Sequence, residues 1–285
     1  MFQKASESVM KFHYRILSVQ DISCVGQCSL TVALPILSAC GIETCILPSA
    51  VLSTHTAFRN FVCHDLTDDM PEISRIWQKE NIQFDAFYTG YLGSVRQIDY
   101  VTEIFRKHGA EHALTFVDPA MADNGVLYPA FDKSYSDAMK PLCFGADVML
   151  PNLTEACLLT DTPYREDYDE NYISDMLLKM HDAGAKLVIL TGIGYTPDST
   201  GVVISDPNGM QYYQHKKLPK GCHGTGDIYA SAFVGAYLHG KSAEESARIS
   251  ADFTVKCIEN TLDDPSHWYG VRFESALPEL IKQFA

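Results

Sequence analysis

Positive charge is scarce. Against 36 aspartates and glutamates the chain of 285 residues sets only 22 lysines and arginines, a formal charge of −14 at pH 7. A surface this acidic repels phosphate backbones and anionic lipid, so nucleic acid and membrane are poor partners. Any phosphate-bearing ligand must be held locally, by backbone N–H groups, a few cations or a metal. Long apolar runs are missing too: none approaches the ~20 residues of a membrane span. The first twelve residues mix polar and charged side chains without the apolar core of a secretory signal, so a cytoplasmic protein is expected. There is no Pro/Ser-rich linker, internal repeat or low-complexity tract. Cysteines number nine, an odd count that cannot pair within the chain, and Cys24 and Cys28 lack a second Cys/His cluster to complete a zinc site. Cys40, Cys45, Cys63, Cys143, Cys157 and Cys257 sit in apolar stretches and read as small buried hydrophobes in a reducing compartment.

With 46% apolar and 20% charged residues, the chain has enough apolar surface for a substantial core, which excludes a disordered chain. Short apolar runs alternate with stretches of helical period. Strands are expected at 14–19, 43–47, 86–89, 114–117, 148–150 and 186–190, and a hairpin at 201–205 and 210–215 around Asp206-Pro207-Asn208-Gly209. Helices are expected at 29–40, 70–80, 95–107, 135–143, 153–159, 173–182, 227–238, 243–259 and 274–284. Alternation of this kind predicts an α/β fold, a three-layer αβα arrangement on a mostly parallel sheet with an antiparallel edge hairpin. One domain over 1–285 is expected, with 1–12 a loose extension. Ligands of such sheets sit beyond the C-terminal strand ends, so residues just after each strand are the candidates for chemistry.

His223-Gly224-Thr225-Gly226-Asp227 leads straight into a helix that continues with small Ala230, Ser231 and Ala232. Glycines let backbone N–H groups approach an anion, and a helix N-terminus adds positive dipole. Asp227, in the first turn, is placed to take a proton from a hydroxyl attacking a bound phosphate; the plain reading is a capping aspartate. Leu150-Pro151-Asn152-Leu153-Thr154-Glu155 follows another strand. Glu155 there is either a helix-start glutamate favoured by the macrodipole or a carboxylate holding magnesium through water, and Asp118 could share that metal. Thr191-Gly192-Ile193-Gly194 ends a further strand with room for a nucleotide. Gln20-Asp21, Ser53-Thr54-His55-Thr56 and Thr89-Gly90-Tyr91-Leu92-Gly93-Ser94 offer hydroxyls and an aromatic to the same crevice.

Together with Leu17-Ser18-Val19-Gln20 and Asp118-Pro119, these motifs resemble the ribokinase superfamily, and within it the vitamin B6 kinases, from about Tyr14 to the last helix. Ser-x-His-Thr and Gly-Tyr-Leu-Gly-Ser point to the B6 branch. The resemblance implies a ribokinase-like fold and an ATP- and magnesium-dependent kinase, commonly a homodimer, acting on the 5′-hydroxyl of pyridoxal, pyridoxamine or pyridoxine. It implies Asp227 as general base, and Gly224, Thr225 and Gly226 as an anion hole. Asp118 and Glu155 would belong to the magnesium–ATP site, the metal held through water. Leu150, Thr191, Lys217 and Leu218, in and near the stretch 216–220, would contact ATP. Asp21, Thr56 and Tyr91 would face the pyridine ring. Asp21 departs from the family's usual serine, and Ala57 stands where one branch has glutamine. The paired glycines of sugar kinases are replaced by Gly26-Gln27-Cys28-Ser29, which weighs against a sugar or nucleoside kinase. Hydroxymethylpyrimidine kinases often carry cysteine at the Asp227 position and stay as the alternative. A non-catalytic small-ligand binder on the same fold would need no base beside an anion hole. Cys222 either fills a tight turn or touches an aldehyde substrate.

Overall fold

The alternating pattern folds into a nine-stranded sheet with helices on both faces. The structure is a computed structural model and describes residues 14–218, 223–264 and 266–284. The expected extension at 1–12, Cys222 and part of the 216–220 stretch lie outside the described residues. Six strands are parallel and form the middle of the sheet: β1 (Arg15–Ser23), β2 (Glu43–Leu52), β4 (Phe84–Thr89), β5 (Gly109–Val117), β8 (Val148–Met149) and β9 (Leu187–Thr191). The hairpin of β10 (Ser199–Asp206) and β11 (Gly209–Lys216) closes one edge antiparallel, as expected, with Asp206 Oδ1 accepting from the N–H groups of Asn208 and Gly209 at its turn.

Three strands were not legible in advance. β3 (Cys63–Asp65) pairs antiparallel with β2 at the opposite edge; all three of its residues are exposed, so no apolar period marks it. Cys63 is therefore not a buried hydrophobe, and Cys45 is only half-buried, while Cys40, Cys143, Cys157 and Cys257 are buried. β6 (Ala122–Asp123) and β7 (Val126–Leu127) form a two-stranded ladder around Asn124-Gly125, both left-handed with φ of 50° and 79°. β1 also runs past Val19: a register shift between Gln20 and Ile22 carries it on to pair with Val51 and Leu52 of β2, so Asp21 lies within the strand. The last predicted helix breaks into a 3₁₀ turn, Glu274–Ala276, and a short helix, Leu277–Ile281.

Successive strand residues serve two cores, as in a parallel sheet covered on both faces. Ile16, Tyr88 and Phe116 pack beneath α1 (Leu30–Ala39), α7 (Thr225–Leu238) and α8 (Ala243–Leu262). Leu17, Phe87 and Val117 pack beneath α2 (Met70–Lys79), α3 (Val95–His108), α4 (Lys133–Gly145), α5 (Leu153–Leu159) and α6 (Glu170–Asp182). α7 is buried almost all round from Ile228 to Leu238 because α1 and α8 flank it against the sheet, and its small residues permit that. Among the described residues no helix is long and apolar enough to cross a membrane.

Close helix contact fixes α7. A Cβ at Gly235 would fall 2.5 Å from Cys40 Sγ. Gly235→Ala should destabilise the fold by about 1–3 kcal/mol through overpacking. Most of that cost should vanish in a Cys40→Ala background, measured by urea unfolding as a double-mutant cycle. Equal cost in both backgrounds would contradict this packing.

Candidate active site

Helix α7 starts at Gly224, whose φ of +81° suits glycine. A second constraint acts there: a Cβ on Gly224 would lie 2.0 Å from the backbone oxygen of Gln27. Among the described residues no side chain caps this helix, so its first turn presents amides and positive dipole to an anion. Asp227 stands in that turn, half-buried. Burial pushes its carboxyl up to about 7; the Ser29 backbone N–H opposes the rise and the Asp21 charge adds to it.

Asp118 follows β5, its N–H bonded to Thr89 O at 3.0 Å and its carboxylate accepting from Ala120 N at 3.2 Å. Glu155 is 2% exposed and both sequence readings of it hold in part. It closes a capping box on α5: Glu155 N donates to Asn152 Oδ1 at 3.0 Å, and Asn152 N donates to Glu155 Oε2 at 2.8 Å. Its other oxygen accepts from Met121 N at 3.0 Å, which turns the carboxylate toward the strand ends. Burial raises the pKa of Asp118, and the charges of Glu155 and then Asp227 raise it further. Burial also raises Glu155, against three backbone N–H donors. Asp118, Glu155 and Asp227 thus form one electrostatic group. Among the described residues no set of three or more His, Cys, Asp or Glu side chains is arranged to hold a metal by itself.

Beside this group a cavity of about 620 Å³ opens between α5 and the β9–β10 edge, lined among others by Asn152, Thr154, Thr191, Gly192 and Lys217. Thr191 and Lys217 both line this cavity. Leu150 stays outside the cavity: it is 3% exposed and shares the face of Val148 in the sheet–α7 core, whereas Asn152 stands beyond the strand at the N-terminus of α5. Leu218 is half-buried and does not line the cavity. Tyr168 and Tyr195 do line it and had no motif to announce them; Tyr168 OH accepts from Gly194 N at 3.0 Å.

On the opposite side, Asp21 is 6% exposed and accepts from the Ser23 hydroxyl at 3.4 Å, with Ser29 as a further side-chain partner. Its pKa is raised by burial and held back by those hydroxyls. Tyr91 packs its ring 5.3 Å from that of Phe131, and burial, then the Asp21 charge, pushes its hydroxyl up to about 12. Thr56 is exposed on the loop after β2. Its neighbour His55, unassigned from the sequence, is the buried residue of that motif: its Nε2 lies 2.8 Å from Tyr269 O, and its ring 5.4 Å from that of His223.

The raised Asp227 carboxyl has a consequence for stability. Between the ordinary aspartate value of 3.8 and about 7 the folded chain holds a proton that the unfolded chain has lost. Stability from this group is complete below the lower value and falls as pH rises through the upper one. Relative to the parent, Asp227→Asn should therefore gain stability from pH 4 to pH 8, by on the order of a few kcal/mol. Thermal unfolding at the two pH values checks this; a difference that does not change with pH contradicts it.

The sequence profile of the phosphomethylpyrimidine kinase family matches residues 67–270. A Bacteroides thetaiotaomicron protein described as a candidate phosphomethylpyrimidine kinase is 36% identical, with a TM-score of 0.90 over 98% of this chain and 96% of its own. That protein is also known in a crystal form with pyridoxal. Pyridoxal kinase from Lactobacillus plantarum is 30% identical, with a TM-score of 0.88 over 95% of this chain and 97% of its own. The pyridoxal kinase of Dictyostelium discoideum is 29% identical over 241 residues, 78% of this chain and 77% of the relative. These likenesses run through the strand ends and α7, where the acidic group and its glycines stand, and the chain is a kinase belonging to the phosphomethylpyrimidine kinase family.

Proposed function

We propose that this kinase transfers the γ-phosphoryl group of ATP to the 5′-hydroxyl of pyridoxal, pyridoxamine or pyridoxine, in vitamin B6 salvage. The observation that carries this is Asp227, a carboxyl raised to about 7 beside the uncapped N-terminus of α7. As the substrate oxygen attacks the γ-phosphorus, Asp227 takes its proton and ADP leaves with the bond electrons. Gly224, Thr225 and Gly226 offer amides to the charge that develops on the phosphoryl oxygens. ATP lies in the cavity between α5 and β9, with Thr191 and Lys217 along it. Asp21 and Tyr91 face the pyridine ring, and Thr56 approaches it from the loop after β2. A carboxylate at Asp21 favours a protonated ring nitrogen or the ammonium of pyridoxamine.

Asp118 and Glu155 fit a magnesium ion held through water: a half-buried and a buried carboxyl lie in one electrostatic group, and among the described residues no third protein ligand completes a cage. When bound, the ion supplies positive charge to the phosphates, which a chain of net charge −14 does not provide from its own surface. Glu155 keeps its orientation through the capping box, and Asp118 through Ala120. A working unit of the whole chain, as a cytoplasmic homodimer, accompanies the same reading. One alternative acceptor is hydroxymethylpyrimidine, after a 28% identical hydroxymethylpyrimidine/phosphomethylpyrimidine kinase of Bacillus subtilis.

ATP consumption measured over the three B6 vitamers, hydroxymethylpyrimidine and several sugars should be fastest with a vitamer. It should rise with pH as Asp227 ionises near 7, and Asp227→Asn should lower kcat by about 10²–10⁴-fold with both substrates still bound. Turnover of hydroxymethylpyrimidine alone, or no turnover of any acceptor, overturns the assignment. An Asn variant keeping more than about a tenth of parental kcat removes Asp227 as base.

A further inference from the structure

The loop of residues 26–29 between β1 and α1 carries no group assigned to the reaction, yet two catalytic elements rest on it. Ser29 has a positive φ of 51°, uncommon for a residue other than glycine, and its backbone N–H faces the Asp227 carboxyl closely enough to hold its pKa down. Two residues earlier, the backbone oxygen of Gln27 packs on Gly224 so tightly that a Cβ there would fall 2.0 Å away. The Thr31 hydroxyl ties the loop to itself, 3.0 Å from Gly26 O and 2.7 Å from Cys28 O. The base and the first glycine of the anion hole are thus both set against one short stretch of backbone.

That stretch is braced from behind by the far end of the chain. The Gln27 side-chain amide donates to the Glu274 carboxylate, and its Oε1 lies 2.7 Å from His267 Nε2. Because a carboxylate only accepts, the amide orientation is fixed: nitrogen to Glu274, oxygen to the His267 N–H. Gln27 N also reaches Tyr269 O at 3.4 Å, and a Cβ on Gly270 would sit 2.5 Å from Gln27 Cβ. Tyr269 O takes in addition the His55 contact at 2.8 Å. Gln27 is the residue through which the two sides meet: its side chain engages the C-terminal segment while its backbone oxygen abuts Gly224.

We infer that Gln27 is a positioning residue, through which the segment 267–274 holds Gly224 and Asp227 at the spacing that phosphoryl transfer needs. This rests on the proposed function above. The contact that transmits position is backbone on backbone, so it has no soft side chain to absorb a shift. Displacements of about 1 Å among reacting groups cost on the order of 10²-fold in rate.

The test exchanges the two partners. Gln27→Glu sets a carboxylate against Glu274 and should lower kcat by about tenfold or more, with the ATP KM changed less than about threefold. In a crystal structure of that variant, Gly224 Cα should move by more than about 0.5 Å relative to β1 and β4. Adding Glu274→Gln restores one donor facing one acceptor, and His267 still donates to residue 27. The double variant should return kcat to within about threefold of the parent and Gly224 to its place. Glu274→Leu alone removes the acceptor and covers the case in which Gln27→Glu does not fold; it should lower kcat by at least about threefold without lowering the unfolding midpoint in step. Unchanged kcat and an unmoved Gly224 in the single variants overturn the inference. So does a double variant with no recovery, or a loss of kcat that only follows a loss of folded protein. The position of Gly224 is read without turnover, so failure of this inference is distinct from failure of the kinase assignment.

Discussion

Carboxyl groups drawn wholly or partly out of water at one end of the sheet are the constraint on which the rest of the structure depends. Burying a carboxylate is costly unless donors are aimed at it, and each one here has donors of its own. Glu155 has the backbone N–H groups of Asn152 and Met121, Asp118 has that of Ala120, Asp227 has that of Ser29, and Asp21 has the hydroxyls of Ser23 and Ser29. These donors come from loops after different strands, so the acids can gather only if the parallel sheet brings its C-terminal ends together. Burial still outweighs the donors, and the carboxyls stay above their ordinary range. Stability is given up to hold an acid ready for proton transfer near neutral pH.

α7 ties that acidic group to the core. Its buried length is packed between α1 and α8, down to the Gly235–Cys40 contact, so its first turn is rigidly placed. Rigidity at that turn matters because an anion hole of backbone amides has no rotamers to adjust. In a chain of net charge −14, the proposed function leaves phosphate recognition to those amides, to Lys217 at the cavity and to a metal.

Much of the fold was legible because β-strands buried on both faces are continuous apolar runs, and most helices end at a glycine or a polar turn. The acids were legible for the same reason: Asp118, Glu155 and Asp227 stand just after a strand or at a helix start. The rest depends on tertiary placement. Cys63-His64-Asp65 becomes strand β3 only because β2 runs long enough beyond Pro48 to pair with it. The β6–β7 hairpin did have a signal, Asn124-Gly125, within a stretch too short to show alternation. Leu150 was tied to ATP by the resemblance alone, and parity along the strand instead puts it on the face of Val148, in the core beneath α7. His55 and Gln27 owe their roles to Tyr269, His267 and Glu274, more than two hundred residues away in the chain, which no local pattern reveals.

The central claim is that Asp227 is a proton acceptor poised by burial beside the α7 N-terminus. A ¹³C NMR titration of the aspartate carboxyls, with Asp227→Asn identifying the resonance, measures it directly. The predicted midpoint for Asp227 is near 7. A midpoint near the ordinary aspartate value of about 3.9 would contradict the account.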